Sequence, residues 1–164
     1  MLRQALGRFV TGVTVVATRG EANRMVGLTA NSFTPVSTHA GLLLWSLATT
    51  SRNLVAFMHS DEFVVSVLAA DQREVSRTMA SSIEDRFANV RWRPGEVSGL
   101  PIVDCCSAWF ECRKVAHYQR GDHHVFVGKV TNWHVSSKPP LLYFAGGYAH
   151  ADLAVKRDDP QVAR

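Results

Sequence analysis

Gly121-Asp122-His123-His124-Val125-Phe126-Val127-Gly128 opens a run, residues 123–135, that is rich in β-branched and aromatic residues and alternates in polarity. A Gly-Asp pair ahead of such a run reads as a tight turn feeding a strand. A histidine at the mouth of a strand either stands at a solvated edge or projects into a cleft. In a cleft its imidazole hydrogen-bonds a ligand or carries charge near neutral pH. A second unusual segment lies well upstream: Gly27-Leu28-Thr29-Ala30-Asn31-Ser32-Phe33-Thr34-Pro35-Val36-Ser37.

Outward from these segments the pattern is mostly that of strands. Residues 13–18 are a β-branched run, Arg19-Gly20-Glu21 turns the chain back, and residues 25–33 read as the partner strand of a hairpin. Residues 42–47 are continuously apolar, which predicts a fully buried strand. Residues 63–68, 102–103, 107–117 and 141–144 also read as strands, and Gly146-Gly147-Tyr148 closes the ordered part. Helical spacing appears at residues 2–10, 54–58, 73–80 and 83–87, with Thr50 or Ser51 as N-cap of the second. Residues 91–101 read as a loop and Lys138-Pro139-Pro140 as a turn. Strands outnumber the short helices, which predicts a mostly β chain: an antiparallel β-barrel with a few short helices. One domain is expected over residues 1–152, with a polar tail at 153–164.

The 164 residues are 46% hydrophobic and 20% charged, enough for a real core. No apolar run has the length of a membrane span, and the start lacks a signal-peptide pattern, so a cytoplasmic protein with no membrane partner is expected. Cys105, Cys106 and Cys112 match neither a zinc spacing nor a disulfide framework and are expected as buried free thiols. The formal charge of +4 is carried mainly by scattered arginines, without the basic run that nucleic-acid binding calls for. Arginine forks suit small phosphorylated ligands equally well. His123 and His124 are strand neighbours facing opposite ways, so no metal site is expected. Gly-x-Gly-x-x-Gly, phosphate-loop and Gly-x-Ser-x-Gly motifs are all missing.

Two segments carry unusual polarity. Residues 29–37 are rich in Thr, Asn and Ser and end in a Pro-containing stretch. They suit either a polar edge strand or the wall of a cleft whose backbone bonds a flat heterocycle. Ser46-Leu47-Ala48-Thr49-Thr50-Ser51-Arg52-Asn53 runs from a strand into a helix start. It suits either ordinary capping or an anion site completed by Arg52.

Taken in order, these pieces resemble the flavin reductase-like family, the small reductase components of two-component flavin monooxygenases. The matching pieces are Thr11-Gly12-Val13-Thr14-Val15-Val16, the Gly27 to Ser37 segment, Leu43-Leu44-Trp45-Ser46-Leu47 and Phe63-Val64-Val65-Ser66-Val67-Leu68. Arg86-Phe87, Gly121-Asp122-His123 with Gly128, and Leu141-Leu142-Tyr143-Phe144 with Tyr148 complete them. The resemblance implies an FMN-binding split β-barrel, usually a homodimer, with FMN or FAD in a groove near the subunit interface. It implies reduction of that flavin by NADH or NADPH for a separate monooxygenase. By position, Thr29, Ala30, Asn31, Ser32 and Phe33 line the isoalloxazine. Ser46, Leu47 and Ala48 follow the ring and ribityl chain. Ser37, Ser51 and Arg52 meet the phosphate, His123 positions the nicotinamide, and Tyr148 lies near the flavin. A flavin or haem carrier without nicotinamide turnover, and a self-contained flavoprotein reductase, are the alternative readings.

Overall fold

A computed structural model describes residues 1–150 of the chain; the expected tail at 153–164 lies outside the described residues. The strands are β1 (Thr11–Gly12), β2 (Thr14–Arg19), β3 (Met25–Ala30), β4 (Thr34–Ser37), β5 (Leu42–Ala48) and β6 (Glu62–Val67). They continue with β7 (Trp92–Pro94), β8 (Pro101–Val103), β9 (Ala108–Arg120), β10 (His123–Val135), β11 (Leu142–Phe144) and β12 (Gly147–Ala149). Three α-helices accompany them: α1 (Leu2–Leu6), α2 (Leu54–His59) and α3 (Arg73–Ala80). The chain is mostly β and antiparallel, as the sequence predicts.

The main sheet has seven strands in the order β3-β2-β6-β9-β10-β5-β4. Its two edges, β3 and β4, are consecutive in sequence and joined only through Asn31, Ser32 and Phe33. Seven strands laid flat would hold those edges about 29 Å apart at ~4.8 Å per strand. The connection reaches at most about 14 Å. The sheet must therefore curl until its edges approach, which makes a barrel. Val16, Val26, Trp45, Phe63, Val65, Cys112 and Phe126, from six of the seven strands, meet inside it. Trp45 is fully buried, stacked on Phe126 with centroids 5.0 Å apart and edge-on to Phe57 at 4.8 Å. Ser32 stitches the seam: its hydroxyl accepts the Ser46 N–H at 2.9 Å and donates to the Ser46 carbonyl at 3.0 Å.

A second core lies outside the barrel, where Val13, Val15 and Ala17 of the β1–β2 segment meet Met79 of α3, Phe87 and Leu141. Gly27 makes this packing possible. A Cβ there would sit 2.8 Å from both Met79 Cε and the Phe87 ring. Gly27→Ala is expected to cost about 1–3 kcal/mol through overpacking, read as a lower urea midpoint at unchanged slope.

Several sequence expectations are corrected. The first helix stops at Leu6 instead of spanning residues 2–10, because none of its residues is buried and no packing extends it. β3 ends at Ala30, where the chain crosses to the other edge. β5 alternates between buried and half-buried residues, so one of its faces is open. Residues 83–87 form no helix; only a 3-10 turn at Phe87–Asn89 follows. The loop at 91–101 contains β7, paired with β8 across Trp92 and Val103. The α2 N-cap is Asn53 rather than Thr50 or Ser51. Cys106 and Cys112 are buried, and burial pushes their thiols up to about 11 and about 12, but Cys105 is exposed at a positive-φ turn.

Candidate functional site

The edge strand β3 organises the site. It pairs with β2 on one side only, so its other side is free for α3, the loop after α3, and a ligand. Toward its C-terminal end, Thr29, Ala30, Asn31 and Tyr148 surround a cavity of about 240 Å³ that Ser76, Ala80 and Tyr143 complete. Ser76 anchors this wall. Its carbonyl accepts the Thr29 hydroxyl at 2.6 Å, and its own hydroxyl shares a 2.9 Å hydrogen bond with the Tyr148 hydroxyl. The Arg73 guanidinium lies over the Tyr148 ring, 5.2 Å from its centroid. The structure thus joins Thr29 to Tyr148, far apart in sequence. Ser76 was missed in the sequence; the only trace is its place one helical turn before Met79, on the buried face of α3.

The end of β5 meets the mouth of β10. Ala48 pairs with His123, Leu47 with His124 and Ser46 with Val125. The Asp122 carbonyl accepts the Thr49 N–H at 2.8 Å, which ties the hairpin tip to the connection between β5 and α2. His123 Nδ1 lies 2.8 Å from Asp122 Oδ1, and that bond holds the Asp122 carboxyl below the usual range. With Nδ1–H given to the carboxylate, Nε2 is left to face outward; the side chain is 46% exposed. His124 turns the other way, lying beside Phe126 and His117. Phe33 stacks on Phe110 at 5.7 Å, so its ring packs on the barrel rather than standing free.

At the other end of β3, two arginines converge. Arg86 donates through Nη1 to the Gly27 carbonyl at 2.7 Å, while its Nε is buried without a partner. Arg52 donates through Nη2 to the Ser82 carbonyl at 3.1 Å. Burial, and then the positive field of Arg52, lowers the Arg86 pKa. Among the described residues neither guanidinium has a carboxylate partner. Two like charges held together with a donor left over form a seat for an anion. Ser51 accepts the Asn53 N–H through its hydroxyl at 3.3 Å and so shapes this turn. Ser37 lies elsewhere. It pairs with Leu42 at the opposite end of β5, roughly 20 Å along the strand from Ala48. Its hydroxyl accepts the Ala40 N–H at 3.2 Å, a turn contact. The structure does not bring Ser37 to Ser51 and Arg52. Arg86 had no role assigned from sequence, since nothing local links it to Gly27.

Among the described residues no cluster of three or more His, Cys, Asp or Glu side chains is arranged to hold a metal, and no helix is long and apolar enough to cross a membrane.

Residues 6–152 match the model of the flavin reductase like domain. The chain belongs to the flavin reductase-like family. It is 44% identical over 94% of its length to a probable flavin reductase of Rhizobium meliloti, covering 50% of that protein. It is 41% identical over 90% of its length to the reductase component of the flavin-dependent trigonelline monooxygenase of Acinetobacter baylyi, covering 47% of it. The chain therefore spans about half the length of these two relatives. Among solved structures it superposes with a TM-score of 0.88 and 34% identity on the NADH:FAD oxidoreductase SgcE6 of Streptomyces globisporus, determined with NAD and FAD fragments. That match covers 94% of this chain and 93% of the other.

The residues present fit a flavin. A phosphate would take up the orphaned Arg86 Nε and separate the two guanidinium charges. The backbone of Thr29, Ala30 and Asn31, at the end of a strand edge with no neighbour, offers hydrogen-bonding groups to a flat heterocycle.

Proposed function

We propose that the chain is an NAD(P)H-dependent flavin reductase that supplies reduced FMN or FAD to a separate monooxygenase. The observation that carries this reading is the Arg52–Arg86 pair without a carboxylate, docked through Arg86 on Gly27 of the strand that leads to the Thr29, Ala30, Asn31 and Tyr148 cavity. The relatives' reductase names and the NADH named for the solved structure support it. Flavin, when bound, supplies the electron-accepting chemistry for hydride from a nicotinamide. The protein's part is placement. Arg52 and Arg86 hold the phosphate end, the β3 edge orients the ring, and His123 presents Nε2 where a nicotinamide amide is to be seated. No side chain has to donate a proton for the hydride to move. Anaerobic mixing of the protein with flavin and NADH, then NADPH, is the test. Bleaching of the flavin absorbance is expected, and its failure with both donors rejects the reading.

His123→Ala is expected to raise the apparent KM for NADH about tenfold, roughly the loss of one or two hydrogen bonds, with flavin affinity close to wild type. His124→Ala should affect turnover less. Reduction rates against NADH concentration, beside a flavin titration of each variant, decide this; a larger loss for His124→Ala means the wrong imidazole was chosen.

The functional unit proposed is a homodimer built from a single domain over residues 1–152, in the cytoplasm, where three unpaired thiols are at home. Phe9, Trp133 and Val135 are 77%, 65% and 72% exposed, large apolar side chains that a second copy would cover. Light scattering at micromolar concentration should return the dimer mass. A monomer with flavin affinity intact removes this claim.

A further inference from the structure

The registers of two strand pairs line up a row of side chains across the outer face of the barrel. Ala48 of β5 faces His123 of β10, and His123 faces Arg120 of β9. Ser46, Val125 and Tyr118 stand in the same relation two residues along. Residues directly opposite each other in a sheet share a face. The alternate residues, Leu47 and Phe126 among them, are buried in the barrel, so this row points outward. It runs from the wall expected along the flavin, through the imidazole expected to seat the nicotinamide, to a guanidinium.

The far end of the row is open. β6 pairs with β9 only as far as Arg113, so Tyr118 and Arg120 stand on a free strand edge, and both are exposed. The Arg120 guanidinium lies over the Tyr118 ring, 5.1 Å from its centroid, and donates through Nη1 to the Gln119 carbonyl at 2.8 Å. The stack and that bond hold the long side chain in place. Among the described residues Arg120 has no carboxylate partner. The Asp122 carboxylate is taken up by His123 Nδ1 instead.

A pyridine dinucleotide carries two negative charges at its diphosphate, one ribose away from the nicotinamide. Adjacent strands lie about 4.8 Å apart. With the ring seated at His123, one strand spacing and the length of an arginine side chain reach those phosphates. A guanidinium without a carboxylate suits them, since its paired N–H donors match phosphate oxygens. The flavin phosphate has its own seat at Arg52 and Arg86, which leaves Arg120 to the hydride donor.

We propose that Arg120 binds the diphosphate of the pyridine dinucleotide, and that through it the chain favours dinucleotide donors over nicotinamides without phosphate. The inference rests on the reductase reading above and adds to it the residue that holds the donor's anionic part.

The test is anaerobic reduction kinetics at saturating flavin with NADH, NADPH and reduced nicotinamide riboside, which has no phosphate. The wild type, Arg120→Gln, Arg120→Lys and His123→Ala are compared. The wild-type KM for NADH is expected about tenfold or more below that for the riboside. Arg120→Gln should raise the KM for NADH and NADPH about three- to tenfold, with kcat, flavin affinity and the riboside KM within about twofold of wild type. Arg120→Lys keeps the charge and loses the fork, so it should fall between; it carries the test if Arg120→Gln folds poorly. His123→Ala should raise the KM for all three donors, because it acts on the ring. An unchanged NADH KM in Arg120→Gln overturns the inference alone, as does a wild type that treats NADH and the riboside equally. So does an equal rise with the riboside, or a rise with NADPH only, which assigns Arg120 to the 2′-phosphate. Failure of the wild type to reduce flavin with any of the three donors overturns the reductase reading, and this inference with it.

Discussion

Replacing Glu111 with glutamine is expected to lower the unfolding free energy by about 3 kcal/mol, the scale of breaking a buried charge network from one side. Glu111 is fully buried in β9. Its Oε1 accepts the Ser98 N–H at 2.8 Å, the Ser98 hydroxyl at 2.7 Å and the Val97 N–H at 3.1 Å, while Oε2 accepts Asn132 Nδ2 at 2.9 Å. Burial by itself would push the carboxyl up; the hydrogen bonds from Ser98, Asn132 and Val97 outweigh it and hold the group below its usual range. Glutamine keeps the shape but turns an amide N–H₂ toward donors. The sign of the pH effect follows from the lowered value. The folded state binds its proton less readily than the unfolded chain. The stabilisation is therefore complete above the unfolded pKa, about 4.3, and is lost as pH falls through the lower folded value. Urea midpoints at several pH values check both parts. The wild type should lose stability in acid, and the variant should lack that portion of the acid dependence. A variant as stable as wild type at neutral pH would mean that the clasp contributes nothing.

The second large effect concerns binding. Arg52→Ala is expected to weaken FMN by about 1–3 kcal/mol and leave riboflavin almost unchanged, since only the phosphate is missing from the latter. Arg86→Ala should lose at least as much, because it removes the one guanidinium among the described residues that has a buried unpartnered nitrogen. The double variant should lose less than the sum, as the two charges share one anion and repel each other without it. Fluorescence titrations of both flavins measure this. Equal losses for FMN and riboflavin place the phosphate elsewhere.

Much of the barrel was legible because its signals are local. Alternation and β-branching mark β2, β6, β9 and β10, and helical spacing gives α3 its observed limits. β7 escaped because Trp92-Arg93-Pro94 is short, contains a proline and exists only through its pairing with β8. The expected helix at 83–87 fails where tertiary contacts take its C-terminal end: Arg86 bonds Gly27 and Phe87 packs against it. The site was legible in the same uneven way. Thr29, Ala30, Asn31 and Tyr148 converge, and so do Ser32 with Ser46 and Ala48 with His123. Ser37 sat in a matching motif, yet a strand's length separates it from Arg52. Arg86 stood in a matching piece without a role, because its partner Gly27 lies many residues away, and nothing near Glu111 in the sequence marks it as buried.

The grip of Glu111 also governs where this chain can change length. Its carboxylate is matched to donors at fixed steps along one loop, Val97 and Ser98, and to Asn132 on the neighbouring strand. Gly95 lies so close that any Cβ would collide with the carboxylate. One residue inserted or deleted between β7 and β8 shifts those donors out of step and strands a charge in the interior. The β7–β8 loop should therefore keep its length in homologous chains, with Gly95 and Ser98 in place.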